Sequence, residues 1–155
     1  MKYLLVVGFL VISLISCASC SKNTSSADKD NSNSYTNSRG SKMKIKIGSK
    51  TFSATLYDNQ TATAFKAMLP FTVDMVELNG NEKYVDMPES LPTNASNPGT
   101  IQNGDLMLYG SSTLVLFYKT FPTSYSYTKL GRIDNVDGPA AALGSGNVAV
   151  TFEIE

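Results

Sequence analysis

Cys17 and Cys20 are the only thiols in the 155-residue chain, and the chain contains no histidine. Without imidazole it lacks the commonest general base, the His half of Ser–His and Cys–His nucleophile pairs, and the commonest metal ligand. Most hydrolase and zinc chemistries are thereby excluded. The spacing Cys17-Ala18-Ser19-Cys20 matches a redox pair, but such a pair needs a βαβ unit beside it. Here it lies between an apolar run and a polar tract. Thirteen Lys+Arg balance thirteen Asp+Glu, so there is no basic excess to neutralise phosphates, and nucleic acid is not an expected partner.

Other constellations of reactive side chains reduce to simpler explanations. Asp134-Asn135-Val136-Asp137-Gly138 offers clustered oxygens, but it lacks the alternating acids and distal Glu of a calcium loop and reads as a turn. Gly144-Ser145-Gly146-Asn147 has no Lys for a phosphate loop and leads into a strand. Asn94, Asn97, Asn103 and Asp105 read as turn formers. An acid/base pair drawn from Glu77, Glu82 and Asp86 requires a convergence that spacing alone does not show. The sequence therefore assigns no catalytic residue, no metal site and no cofactor. Its one concentration of ligand-binding side chains is aromatic: Tyr118, Tyr125 and Tyr127, with Phe117 and Phe121 close by. These rings suit a pocket for a peptide, sugar or other small ligand, or else barrel core and loop packing.

The N-terminus gives an address. Lys2 precedes an apolar run from Tyr3 to Ile15 that is too short to span a membrane and fits a signal peptide over residues 1–16. Leu14-Ile15-Ser16-Cys17 resembles the bacterial lipobox, which implies a lipid on Cys17 as the membrane anchor. Residues 17–42 then form a Ser/Asn-rich tether that cannot bury enough surface to order itself. A coil of this length reaches about 25 Å. The expectation is an exported lipoprotein of the bacterial cell membrane or outer membrane, facing the periplasm or exterior.

The remaining residues, 43–155, must position whatever site exists. They carry eight basic and eleven acidic residues, a balance of about −3. Alternation at Met43, Ile45 and Ile47 and again at Phe52, Ala54 and Leu56 predicts a hairpin with one buried face. Ala64, Phe65, Met68 and Leu69 fall at helical spacing, with Asn59 or Thr61 as N-cap and Pro70 as a stop. Strands are predicted at Phe71–Leu78, which ends in the turn pair Asn79-Gly80, and at Lys83–Val85, Asp105–Tyr109, Thr113–Tyr118 and Thr128–Ile133. Met87 to Asn103 reads as a long loop and Phe121 to Ser126 as an aromatic loop. A short helix at Gly138–Leu143 precedes a final strand, Asn147–Glu155, with Val148, Val150, Phe152 and Ile154 facing inward. This order predicts a mainly β fold: a closed eight-stranded barrel, one helix after the second strand and a short helix before the last.

That order resembles the cyclophilin fold, and residues 43–155 resemble the bacterial cyclophilin-like domains. Leu116-Phe117-Tyr118-Lys119-Thr120 is similar to the family's Gln-Phe-Phe-Ile-Thr strand, and Leu130-Gly131-Arg132-Ile133 to its Phe-Gly-Lys-Val strand. Leu56-Tyr57-Asp58-Asn59, Gly104-Asp105-Leu106 and Tyr125-Ser126-Tyr127-Thr128 carry the likeness to the bacterial domains. In the isomerases of the family an Arg binds the prolyl carbonyl and helps weaken the amide's double-bond character. The corresponding stretch here, Phe71-Thr72-Val73-Asp74-Met75-Val76, has no Arg, and Arg132 falls on a noncatalytic Lys of the family. The resemblance places the pocket Phe on Tyr118 and leaves Tyr125 as the nearest aromatic to the family's Trp- and His-bearing loop. The candidate ligand pocket is therefore Phe71, Met75, Tyr118 and Tyr125. The expected function is a non-catalytic ligand- or peptide-binding accessory module, the alternative being a divergent peptidyl-prolyl isomerase acting on envelope proteins.

Overall fold

The computed structural model describes residues 40–155. The expected signal peptide, Cys17 and most of the expected tether lie outside the described residues. Ten strands and two helices follow one another as β1 (Lys42–Ile47), β2 (Lys50–Leu56), α1 (Gln60–Ala67), β3 (Phe71–Leu78), β4 (Glu82–Asp86), β5 (Thr100–Ile101), β6 (Asp105–Tyr109), β7 (Thr113–Phe117), β8 (Phe121–Pro122), β9 (Thr128–Ile133), α2 (Pro139–Leu143) and β10 (Val148–Ile154). Eight of the strands close a barrel in the order β1-β10-β3-β4-β7-β6-β9-β2, every neighbouring pair antiparallel. The predicted barrel and both helices are present.

Period-two alternation fills the barrel. Met43, Ile45, Ile47, Ala54, Leu56, Leu106, Leu108, Leu114, Leu116, Val150 and Phe152 are buried in one cluster, to which α1 adds Ala62 and Phe65 and α2 adds Leu143. Phe65 meets the edges of Phe71 and Phe152 at 5.6 and 5.9 Å between ring centroids. The α1 N-cap is Asn59, whose Oδ1 accepts the Ala62 N–H at 2.8 Å. The three-residue turn Asn79–Asn81 between β3 and β4 has φ of 55° at Asn79 and 67° at Gly80, both left-handed, and the Asn81 N–H donates to the Leu78 carbonyl at 3.3 Å. The final strand departs from expectation at its end, where Ile154 is exposed.

The two predicted loops contain more structure than their composition suggests. β5 and β8, of two residues each, pair antiparallel, and a bridge joins Ser96 to Tyr127. Together they cover the outer faces of β6 and β7, burying Ile101, Met107, Val115, Phe117 and Tyr127 as a second apolar cluster outside the barrel. This explains why Asp105–Leu108 and Leu114–Phe117 are buried without alternation: both faces of these strands are covered.

Gly131 in β9 lies so close to β2 that a Cβ there would stand 2.6 Å from the Thr55 carbonyl oxygen. Only a residue without Cβ lets Leu56 pair with position 131. Gly131→Ala is expected to cost about 1–3 kcal/mol through overpacking. Gly146→Ala, whose Cβ would meet nothing within 4 Å, is expected to stay within about 0.5 kcal/mol of the parent. Urea unfolding midpoints of the two variants check both values.

Candidate functional site

A groove of about 580 Å³ runs along the outside of the barrel. Its floor is the outward face of β4 and β7, and its far wall is the segment from Phe121 to Tyr127. Because side chains alternate along a strand, Glu82, Tyr84 and Asp86 of β4 all point outward, with Thr113 and Val115 of β7 beside them. Tyr109 and Tyr125 meet edge to face at 6.1 Å, and Tyr109 lies 5.7 Å from Tyr127. The second apolar cluster supports this wall, with Tyr127 edge-on to Phe117 at 5.5 Å. The groove thus has a mixed polar and apolar floor and two exposed tyrosines, Tyr109 at 47% and Tyr125 at 61%, backed by the second apolar cluster.

Two carboxylates enter it. Asp86 Oδ1 accepts the Thr113 hydroxyl at 2.6 Å, which fixes its orientation. Burial, followed by the nearby Glu77 charge, pushes the Glu82 carboxyl above its ordinary value. No Lys, Arg, His or Cys lines the groove.

On the other face of the same strands lies an ion cluster. Lys83 points into the barrel and is fully buried. Its Nζ donates to Glu77 Oε2 and to the carbonyls of Gly144 at 3.0 Å and Gly146 at 2.6 Å, so all three ammonium donors are used. The Tyr118 hydroxyl donates to Glu77 Oε1 at 2.7 Å, the Gly80 N–H reaches the same oxygen at 2.8 Å, and Lys83 Nζ stands 5.5 Å from the Tyr118 ring centroid. Burial alone would raise the Glu77 carboxyl. The hydrogen bonds from Lys83, Tyr118 and Gly80, with the Lys83 charge, outweigh it and hold the group below the usual carboxylate range. Burial and the bond to Glu77 push the Tyr118 phenol up to about 12.

The four residues proposed from sequence are divided between these two faces. Met75 is fully buried in the barrel core, Phe71 packs against that core, and Tyr118 is 7% exposed and turned inward to Glu77. Tyr125 alone reaches the groove. On β7 it is Phe117, one residue earlier, that faces outward beneath the groove wall. Tyr84 and Tyr109 were missed by sequence reasoning. The signal for Tyr84 was the parity of β4, legible only once Lys83 is known to face inward, and Tyr109 closes a strand buried on both faces. Asp134 serves as a tie between strands: it pairs with Lys42 at 2.8 Å and accepts the Thr55 hydroxyl at 2.6 Å. Among the described residues no cluster of His, Cys, Asp and Glu is arranged to hold a metal, and no helix is long and apolar enough to cross a membrane.

Comparison with known proteins bears on the barrel. The sequence model of the Cyclophilin-like family matches residues 45–153. The solution structure of a hypothetical protein from Archaeoglobus fulgidus is similar at a TM-score of 0.52 and 17% identity, covering 76% of this chain and 97% of the other. That likeness concerns the fold alone. No curated protein matches.

The ion cluster sets opposite pH dependences at its two ends. Because Glu77 is depressed in the folded state, its contribution is present above the ordinary carboxylate pKa and lost as pH falls through the lowered value. Tyr118 is raised from 10.0 to about 12, so its contribution is complete below 10 and lost as pH rises toward 12. Burial also raises the Tyr57 and Tyr127 phenols, so ultraviolet titration of the protein and its Tyr118→Phe variant should differ by one phenol ionising near 12, which Glu77→Gln brings partway back toward 10. Lys83→Met should destabilise by about 3 kcal/mol, with part of the loss recovered when Glu77→Gln is added, since a lone member of a broken pair is costlier than none.

Proposed function

We propose that this chain, which belongs to the Cyclophilin-like family, is a non-catalytic peptide- or ligand-binding module whose site is the outer groove, held at a bacterial membrane through Cys17. The observation that carries the reading is the composition of the groove wall. Four tyrosines, Tyr84, Tyr109, Tyr125 and Tyr127, supply rigid amphipathic contact surface, while no Arg or Lys lines the groove. Tyrosine faces bind without much loss of side-chain entropy, and their hydroxyls add hydrogen bonds at the rim. Prolyl isomerisation as the isomerase cyclophilins perform it uses a guanidinium on the prolyl carbonyl. Arg132, the sole Arg in residues 43–155, lies outside the groove and faces Asn103 and Asp105. The lipobox-like Leu14-Ile15-Ser16-Cys17 and the polar tract behind it support an extracytoplasmic module tethered within reach of envelope proteins.

Titration of the isotope-labelled full chain, in detergent micelles, with a library of proline-containing peptides tests the site. Chemical-shift changes at Tyr84, Tyr109 and Tyr125 without enhanced cis/trans exchange are the expected result. Exchange accelerated well beyond the uncatalysed tens to hundreds of seconds would instead establish the isomerase, and shifts confined to other faces of the barrel would remove the groove from consideration. The anchor is tested separately: mass spectrometry of the membrane fraction should find lipid on Cys17, and Cys17→Ser should release the protein from membranes. Unmodified Cys17 in soluble protein would overturn it.

A further inference from the structure

The groove's charge is one-sided, and that bears on what it holds. Glu82 and Asp86 flank Tyr84 on the outward face of β4, each two residues from the ring and so about 7 Å along the strand. Asp86 uses one oxygen on the Thr113 hydroxyl. Glu82 takes part in no ion pair among the described residues. It stands half-buried on β4 opposite Phe117 of β7, and the charge that raises its carboxyl is that of another acid, Glu77. The Lys83 ammonium on the same strand gives no compensation on this side, since it is turned into the barrel and occupied by Glu77 and two carbonyls. Lys119, in the connection from β7 to β8, brings its Nζ to 4.0 Å from the Cβ position of Gly80 at the end of the groove and is not among the lining groups.

An unneutralised carboxylate beside the half-buried Tyr84 ring, which packs on the second apolar cluster and lines the groove, is an arrangement that a cation completes. The ring quadrupole attracts an ammonium or guanidinium placed over its face, and a carboxylate at the ring's edge supplies the countercharge. We propose that the groove recognises a peptide segment through a lysine or arginine side chain, seated over the Tyr84 face between Glu82 and Asp86, with the flanking residues against Tyr109 and Tyr125. A peptide fits better than a lone amine because the space extends from the Asn79–Asn81 turn to Tyr125, beyond the reach of one side chain. This inference rests on the groove being the binding site, and its test separates the two.

Capped, neutral-dye-labelled pentapeptides of sequence Gly-Ala-X-Ala-Gly, with X as Lys, Arg, norleucine, Gln or Glu, are titrated against the full chain in non-ionic detergent, with fluorescence anisotropy as the readout. The Lys and Arg peptides are expected to bind about tenfold tighter than norleucine and Gln, and Glu weakest. The preference should shrink as salt is raised. Glu82→Gln combined with Asp86→Asn should abolish the preference while leaving weak binding of the norleucine peptide, and circular dichroism of this variant confirms its fold. Tyr84→Leu should weaken the Lys and Arg peptides more than norleucine. Equal binding of charged and neutral peptides, with Tyr125→Ala weakening all of them, would overturn the cation inference and keep the groove as the site. Binding of none of the five would remove both.

Discussion

The ammonium of Lys83 is the constraint from which the rest of the site follows. Placing a charge inside an apolar barrel is costly unless every donor is matched. Here the three partners come from two places in the chain: Glu77 on β3, and the carbonyls of Gly144 and Gly146 in the connection from α2 to β10. A single side chain on β4 thereby fixes its neighbour β3 and the approach to β10, which pairs with β3 in turn. The same interaction fixes parity. Since a one-residue slip exchanges the two faces of a strand, Lys83 inward requires Glu82, Tyr84 and Asp86 outward. The groove floor is the other side of the ion cluster.

The barrel was legible in the sequence because most of its strands obey period two with one apolar face, and its turns carry marked residues such as Asn79-Gly80. The binding face was not. Lys83 in a strand reads as solvent-facing, since nothing local announces that Glu77 and two carbonyls of a segment some sixty residues later converge on it. Reading Lys83 outward turns Tyr84 inward and hides it. The likeness of Leu116–Thr120 to the family's strand put the expected pocket ring at Tyr118, which the structure turns toward Glu77, while Phe117 takes the outer face. β5 and β8 were illegible for a different reason: two residues carry no period, and their pairing joins segments that local pattern cannot connect.

The second apolar cluster shows why a groove exists on this side of the barrel. β6 and β7 are covered on their outer faces by β5, β8 and Tyr127, whereas the outer face of β4 is covered only in part, Tyr84 packing against the edge of this cluster and Asp86 standing exposed. A step is left where this added layer ends. Its wall must be amphipathic, because one side seals apolar side chains and the other meets solvent. Tyrosine meets both demands, with Tyr127 buried, Tyr109 47% exposed and Tyr125 61% exposed in order outward.

Charges on the two faces of β4 are consequently unequal in their satisfaction. Inside, Lys83, Glu77 and Tyr118 form a closed network in which the carboxylate is stabilised by its donors. Outside, Glu82 feels that same carboxylate as a repulsive neighbour through the strand and has no countercharge on its own side. An interaction that strengthens the interior therefore leaves the exterior acid unsatisfied. Glu82 and Asp86 are the charged side chains that line the groove, with no Lys or Arg among the lining residues, an imbalance that the domain's mild overall charge does not reveal. Fold and site are linked by that arrangement: the lysine that specifies the register of β4 is also the positive charge withheld from the groove.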